Sequence, residues 1–482
     1  MPPRFFLRCL GTPELRGPGG EPIRFRTRKH LAMLVFLATA ERRDTLRRDR
    51  LADLLWPDAS PAEGRHSVAT ALSVLRSRLG HRALETTRDT VRLVGADLEL
   101  DLDRLARGAV VGDDATSPLE VAGFLEHFEV PRAPEFMLWR DVMRARWFPL
   151  IRDALIQLID RCRRHGDFRQ IAAHADRLHA LDELSEEAVR ARMEACAFAG
   201  DRVTAIRIYK AWQERLAEEL DAAPSALVAG MASRLRQRSL EPAETSHLPT
   251  VPTDLWRNRS FIGRQPEYRT LYERWEATRH GTGRHALVLG ESGIGKTTLV
   301  ERLVTAAGLE GALSSRVQCY EVDRETPYAA VAALVRELIG CPGAGGTPPQ
   351  WLAELALTVP VVAQRFTNLP AANPAAGETA RLRLTEAVHE LATAVAEEQP
   401  LILVVDDVHL ADDASVAVLH LLMRRTQQQR VMVIMTARES ELRHSPQAAR
   451  LQEQRDPLGL DTVELAQLSE AREVLLASTA TR

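Results

Sequence analysis

The chain has 482 residues, 45% of them hydrophobic and 27% charged, enough for about three cored domains and too apolar for global disorder. A formal net charge of −3 excludes a chain built throughout to coat nucleic acid. The charge is uneven, with net +6 over residues 1–100, −2 over 101–240 and −7 over 241–482, so only the first hundred residues suit a polyanion.

Met1 to Leu15 carries Arg4 and Arg8 and no apolar h-region, so no signal peptide is expected. Phe5–Leu10 and Ile23–Phe25 read as short strands around the turn-rich Gly11–Gly20. The apolar stripe Leu31, Leu34, Val35, Leu37, Ala38 predicts a helix from Arg28 to Ala40, and a second helix is expected from Arg48 to Trp56. Ser60 as N-cap and Pro61 at the first helical position open a third helix that runs to about Leu79. Leu84–Arg88 and Val91–Val94 then read as a hairpin around Asp89-Thr90.

Residues 101–240 read as entirely helical. A shift of 34 residues superposes Ala154 on Ala188, Ile159 on Met193, Cys162 on Cys196, and Gly166-Asp167 on Gly200-Asp201. That is the tetratricopeptide period, with small residues where antiparallel helices meet and Gly-Asp at the turn. Arg238 to Asp254, with Pro242, Pro249 and Pro252, reads as a linker. Beyond it, Ala286–Leu289, Leu401–Val405 and Val431–Met435 are apolar strands between helices Thr297–Thr305 and Ser415–Arg424, the pattern of a parallel sheet covered on both faces. Gly340–Pro349 reads as a surface loop, and the chain ends soon after a further strand–helix pair, Thr462–Leu476.

The organisation expected is therefore multidomain α/β: short strands, three helices and a hairpin over 1–98, an all-α TPR-like domain over 99–238, a linker over 239–254, and a parallel α/β domain over 255–482, incomplete at its C-terminus. Five cysteines without C-x-x-C spacing, and the absence of a run of about 18 apolar residues, point to the cytoplasm and away from a disulfide scaffold, a zinc site or a membrane span.

Gly290-Glu-Ser-Gly293-Ile-Gly295-Lys296-Thr297 matches G-x-x-x-x-G-K-[ST] between an apolar strand and a helix. Glycines let backbone N–H groups turn onto phosphate oxygens, and the helix N-terminus adds partial positive charge. Lys296 is expected to bridge β- and γ-phosphates and Thr297, beside Thr298, to ligate Mg²⁺. Only three of the 63 basic residues are lysines (Lys29, Lys210, Lys296), so a lysine here is a selective choice. Leu401 to Asp407 supplies a buried strand ending in two acids: Asp406 to hold Mg²⁺ through water, Asp407 to orient or deprotonate the attacking water. Arg438, after a third apolar strand, is placed to sense a γ-phosphate. With Phe261-Ile-Gly-Arg264 upstream and Asp406-Asp-Val-His-Leu-Ala-Asp412, these pieces resemble the STAND class of signal-transduction ATPases over about residues 260–440. The resemblance implies ATP or ADP as a switch ligand contacted also by Arg264, and a slow ATPase. Leu410 departs from the tryptophan usual there.

On the third N-terminal helix, Val68, Leu72, Leu75 and Leu79 share one face, and His66, Thr70, Ser73 and Ser77 the other, flanked by Arg65 and Arg76. Short polar side chains bordered by arginines suit a major groove, with Arg88 at the hairpin tip able to hold phosphate; a merely solvated helix face has the same pattern. Arg28-Lys-His-Leu-Ala-Met-Leu, Arg50 to Asp58 and Leu72 to Gly80 resemble the winged helix of the Streptomyces antibiotic regulatory protein family. Trp139-Arg140, Glu186–Gly200, Ala205–Tyr209 and Leu220 to Ser225 resemble the bacterial transcriptional activator domain that follows it. The resemblance implies an OmpR-like winged helix-turn-helix over 1–98, ahead of the TPR-like domain and the P-loop NTPase domain, in an activator that reads double-stranded promoter DNA, with the helical domain supporting homodimers and RNA polymerase contacts. Two rivals remain open at this point: a signalling ATPase whose N-terminal half is a docking module, and a repeat scaffold for peptides.

Overall fold

The structure, a computed structural model, describes residues 5–40, 45–94, 98–108, 120–237, 263–372, 377–442, 451 and 455–467. The expected linker, Phe261, and the helical half of the terminal pair beyond 467 lie outside the described residues. Two compact units emerge, Met1–Arg161 with Ala173–Ala188, and Cys162–Ala172 with Val189–Arg482.

The first unit begins with β1 (Phe5–Arg8), β2 (Glu14–Arg16) and β3 (Pro22–Ile23), followed by α1 (Arg28–Thr39), β4 (Leu46–Arg47), α2 (Arg48–Leu55) and α3 (Pro61–Leu79). β5 (Leu84–Thr86), β6 (Thr90–Leu93), β7 (Leu98–Leu100) and α4 (Asp101–Ala106) complete its N-terminal part. One sheet runs β3-β2-β1-β7 and a second β4-β6-β5, around three helices. The start of α3 is fixed by a reciprocal capping box: Glu63 N–H donates to the Ser60 hydroxyl at 3.4 Å and Ser60 N–H to the Glu63 carboxylate at 3.0 Å. α2 and α3 meet where a Cβ on Gly64 would lie 3.1 Å from that of Ala52, a contact tight enough that any larger residue would push the helices apart by a few tenths of an ångström. Lys29 is structural, donating to Leu55 O at 2.5 Å and lying over the Trp56 ring.

Two expectations need correction here. The stretch Gly11–Gly20 is not all turn but contains β2, whose Leu15 is fully buried. Nor is 101–240 entirely helical: residues 120–133 are largely irregular, with an isolated bridge between Leu10 and Phe124. This segment's polar backbone is satisfied from outside a helix. Gly11 N–H donates to Gly123 O, and Arg144 donates to the carbonyls of Phe124 and Leu125.

The helices that follow are α5 (Pro134–His165), α6 (Phe168–Leu181), α7 (Glu186–Phe198), α8 (Arg202–Leu220) and α9 (Ala226–Gln237). The 34-residue period is visible as repeated turn geometry. Gly166 and Gly200 both adopt left-handed φ (+68° and +77°), and Asp167 and Asp201 each donate a backbone N–H at 2.9 Å to the carbonyl five residues back.

The second unit then contains α10 (Gln265–Arg279), β8 (His285–Leu289), α11 (Lys296–Leu309), β9 (Leu313–Gln318), α12 (Ala329–Leu338), α13 (Pro349–Thr358), α14 (Val361–Arg365), α15 (Gly377–Glu398), β10 (Leu401–Asp406), α16 (Asp413–Arg425), β11 (Val431–Ala437) and β12 (Leu460–Glu464). All five strands are parallel in the order β12-β8-β11-β10-β9. Every residue of β8, β10 and β11 is buried, which is why they read as unbroken apolar runs. β9 alternates because it is an edge strand, and that made it invisible as a strand in the sequence. Gly340–Pro349 lies at the surface but is anchored: Ala344 and Thr347 are buried, and a Cβ on Gly343 would meet Ala394 O at 2.6 Å on α15.

Candidate functional site

Strand register brings the carboxyl ends of four strands together. Leu289 pairs with Ala437, Val405 with Met435, and Asp406 with Gln318, so the loop after β8 and the acids after β10 share one edge of the sheet. The loop Gly290–Gly295 turns into α11 through left-handed φ at Gly293 (+76°) and Gly295 (+104°). No side chain or other segment lies within 4 Å of where a Cβ would stand at either, so both positions face open space, whereas at Gly290 a Cβ would strike Ile294 at 2.8 Å. Lys296 is buried at the first turn, and its ammonium donates to the carbonyls of Gly290 (2.7 Å) and Glu291 (3.0 Å); burial draws its pKa below the usual lysine value. Thr297 is exposed and Thr298 half-buried beside it. A glycine cradle, a helix N-terminus and a lysine that already bonds oxygen acceptors fit a polyphosphate.

Asp406 is 2% exposed. It accepts from Arg316 Nε at 2.5 Å and from the Thr436 hydroxyl at 3.0 Å. Arg316 also pairs with Glu301 of α11 at 2.9 Å. Asp407 adopts a left-handed φ of +53°, held by its N–H donating to Thr436 Oγ1 at 3.0 Å and by Gln318 donating to its carboxylate at 2.7 Å. Sequence reading missed Arg316, Gln318 and Thr436. The first two sit on the strand it did not find, and Thr436 looked like one more residue of an apolar run.

Arg438 is paired with Glu441 at 2.6 Å rather than free, and its backbone N–H approaches Nδ1 of the buried His409. His409 lies between Glu441 (3.1 Å) and Asp407 (3.9 Å); burial lowers its pKa more than these acids raise it. Arg264 grips the cradle from outside, donating to Ile294 O at 3.4 Å and Ala466 O at 2.6 Å while pairing with Glu267.

In the first unit, Arg65, His66, Thr70, Ser73 and Ser77 are exposed along α3, as is Arg88 between β5 and β6. Arg65 makes only a solvated contact with Asp49 at 3.7 Å. Arg76 is half-buried and donates to the Thr86 hydroxyl, tying α3 to the hairpin. Ser77 donates to Val74 O at 2.8 Å. Arg92 is held by Glu85 across the hairpin.

The bacterial transcriptional activator domain family matches residues 136–236, and the AAA ATPase domain family matches residues 260–434. No curated protein matches the chain. Among solved structures, Mycobacterium tuberculosis EmbR in complex with a low-affinity phosphopeptide is similar over 57% of this chain and 72% of its own, at 16% identity and a TM-score of 0.36. Among the described residues no helix is long and apolar enough to cross a membrane.

Proposed function

We propose that this chain, a Streptomyces antibiotic regulatory protein of the larger type in which the activator domain precedes an AAA ATPase domain, grips promoter DNA with its winged helix and is biased by ATP or ADP at Lys296. The observation that carries the reading is the pairing, on one chain, of a solvated His/Ser/Thr face bordered by arginines on α3 with an open glycine cradle at the head of α11.

In this reading Arg65, Arg76 and Arg88 hold DNA phosphates while His66, Thr70, Ser73 and Ser77 face base edges. The loop Gly290–Gly295 and the first turn of α11, with Thr298, bind the nucleotide phosphates. Lys296 exchanges its two carbonyl acceptors for phosphate oxygens. Thr297 and Asp406 would hold Mg²⁺, which supplies charge neutralisation between phosphate oxygens when bound. Asp407 orients water, Arg438 leaves Glu441 to meet a γ-phosphate, and Arg264 keeps the cradle in shape. The activator-domain helices are assigned to RNA polymerase contacts and to a homodimer.

The test is a DNA titration of the full chain over a range of salt, with ATP, with ADP and with neither. Binding is expected to weaken with salt and to shift about tenfold with nucleotide, which corresponds to a bias of about 1.4 kcal/mol between two states; Lys296→Ala abolishes that shift. Rapid turnover with no promoter preference would instead support a signalling ATPase with a docking module at its N-terminus.

A further inference from the structure

The helix that begins at the glycine cradle makes contacts beyond the ATPase fold as well as within it. Six residues past Lys296, Arg302 leaves α11 and donates from Nη2 to Gly166 O at 2.7 Å. Its guanidinium lies over the ring of Phe168 at 5.0 Å and faces Phe198 at 5.9 Å. These two phenylalanines stack on each other with 17° between their planes, one opening α6 just after the Gly166-Asp167 turn, the other closing α7. Burial pulls the Arg302 guanidinium down to about 10. Around this contact the fit is close: Tyr268 of α10 meets Phe168 edge-on at 6.5 Å, and a Cβ on Gly166 would lie 2.9 Å from the Tyr268 ring.

A second grip sits at the far end of the same helix. Leu309 packs among Val189, Met193, Tyr209, Trp212 and Met231 of α7, α8 and α9, and Arg234 Nη2 donates to Leu309 O at 2.7 Å. α11 is thus a single rigid rod of 14 residues, about 21 Å long, with a phosphate cradle at its head and activator-domain helices on its middle and tail. An arginine desolvated over stacked aromatics is the type of contact on which interface energy concentrates. Because packed contacts of this kind shift between discrete arrangements rather than stretch, a movement of the rod's head must be carried into what grips its tail.

We propose that Arg302, seated on the Gly166–Phe168 turn and Phe198, is the joint through which occupancy of the cradle is delivered to helices α7–α9 of the activator domain. This rests on the reading of the cradle as a nucleotide site. It adds the route by which that site acts, and assigns the activator domain a role as receiver of the nucleotide signal.

The experiment is hydrogen–deuterium exchange on the full chain with Mg²⁺ and ATP, ADP or no nucleotide, beside a direct nucleotide-affinity measurement. In the unaltered protein nucleotide is expected to slow exchange in residues 290–298 and, in step, by about threefold or more in residues 189–237. Arg302→Lys keeps the charge and loses the planar stack, and Arg302→Met keeps bulk alone. Both are expected to bind nucleotide within about twofold of the unaltered chain and to lose the protection at 189–237. Protection confined to 290–298 in the unaltered chain, or retained at 189–237 in both variants, overturns the joint and leaves the nucleotide site standing. Absence of any nucleotide binding overturns the site and the joint together. If one variant unfolds, the other is read, and protection confined to 290–298 in the unaltered chain overturns the joint without any substitution.

Discussion

A carboxylate that is 2% exposed needs partners, and Asp406 has the Arg316 guanidinium at 2.5 Å and the Thr436 hydroxyl at 3.0 Å. Arg316 puts a positive charge against the carboxylate at which a divalent cation would be held, and the two cations repel, so Arg316 tunes how readily Asp406 would serve a metal. Arg316→Gln is expected to lower the Mg²⁺ concentration that half-saturates nucleotide binding by about threefold or more, as read by titrating Mg²⁺ against a fluorescent nucleotide. An increase instead would make Arg316 a support of the metal site. His285, buried in β8, is a second case: its Nδ1 accepts from Val433 N–H at 3.1 Å, its Nε2 bonds Met423 O at 3.0 Å, and burial lowers its pKa to about 4. The folded state therefore binds fewer protons than the unfolded one between about pH 4 and 6.5. Its contribution, about 3 kcal/mol, is present above pH 6.5 and lost as pH falls toward 4. Urea unfolding between pH 7 and 4.5 should show stability falling on acidification, with a shallower fall in His285→Gln. Neither Arg316 nor His285 could be assigned a role from the sequence, because each depends on which strand lies beside it. Lys296, by contrast, carries its chemistry in its motif.

At the scale of elements, the strands most legible in the parallel sheet are those buried on both faces. β8, β10 and β11 announce themselves by unbroken apolar runs, while β9 mixes Ser314, Ser315 and Arg316 because one side of an edge strand meets solvent and the acid cluster. The repeat was legible because a turn that demands left-handed φ selects glycine twice, 34 residues apart. What the period could not reveal is that the two turns are not equivalent, since only tertiary structure brings the Tyr268 ring to 2.9 Å from the place of a Gly166 Cβ. Gly166→Ala therefore meets both backbone strain, about 1 kcal/mol, and a clash that forces the ring to move, for a total loss of about 2–3 kcal/mol. Gly281, also left-handed at +95° with nothing within 4 Å, supplies the comparison: Gly281→Ala should lose only about 1 kcal/mol. Denaturant midpoints for the two variants check the difference, and equal losses would mean that the Tyr268 contact contributes nothing.

For the molecule as a whole, the distribution of charge matters more than its sum. The first hundred residues carry net +6 and the rest net −9, so attraction to a polyanion has to come from the winged helix against repulsion from everything else. Three helices, a capping box at Ser60 and a hairpin placed this charge correctly from sequence, because caps, prolines and apolar spacing are local signals. The arginines differ in availability, which sequence did not foretell: Arg76 is tied to Thr86, whereas Arg65 and Arg88 are exposed. Arg65 and Arg88 are thus the better candidates for phosphate contacts in the proposed DNA complex, where each would release about 0.9 of a counterion. The double variant Arg65→Gln with Arg88→Gln should flatten the slope of log affinity against log salt by about 1.8 while leaving nucleotide affinity at Lys296 unchanged. The same variant should weaken binding to all duplex sequences alike, because phosphates carry no base identity. A slope unchanged by the double substitution would remove α3 and the hairpin from the DNA backbone, and a loss confined to one sequence would move these arginines from phosphate contact to base reading.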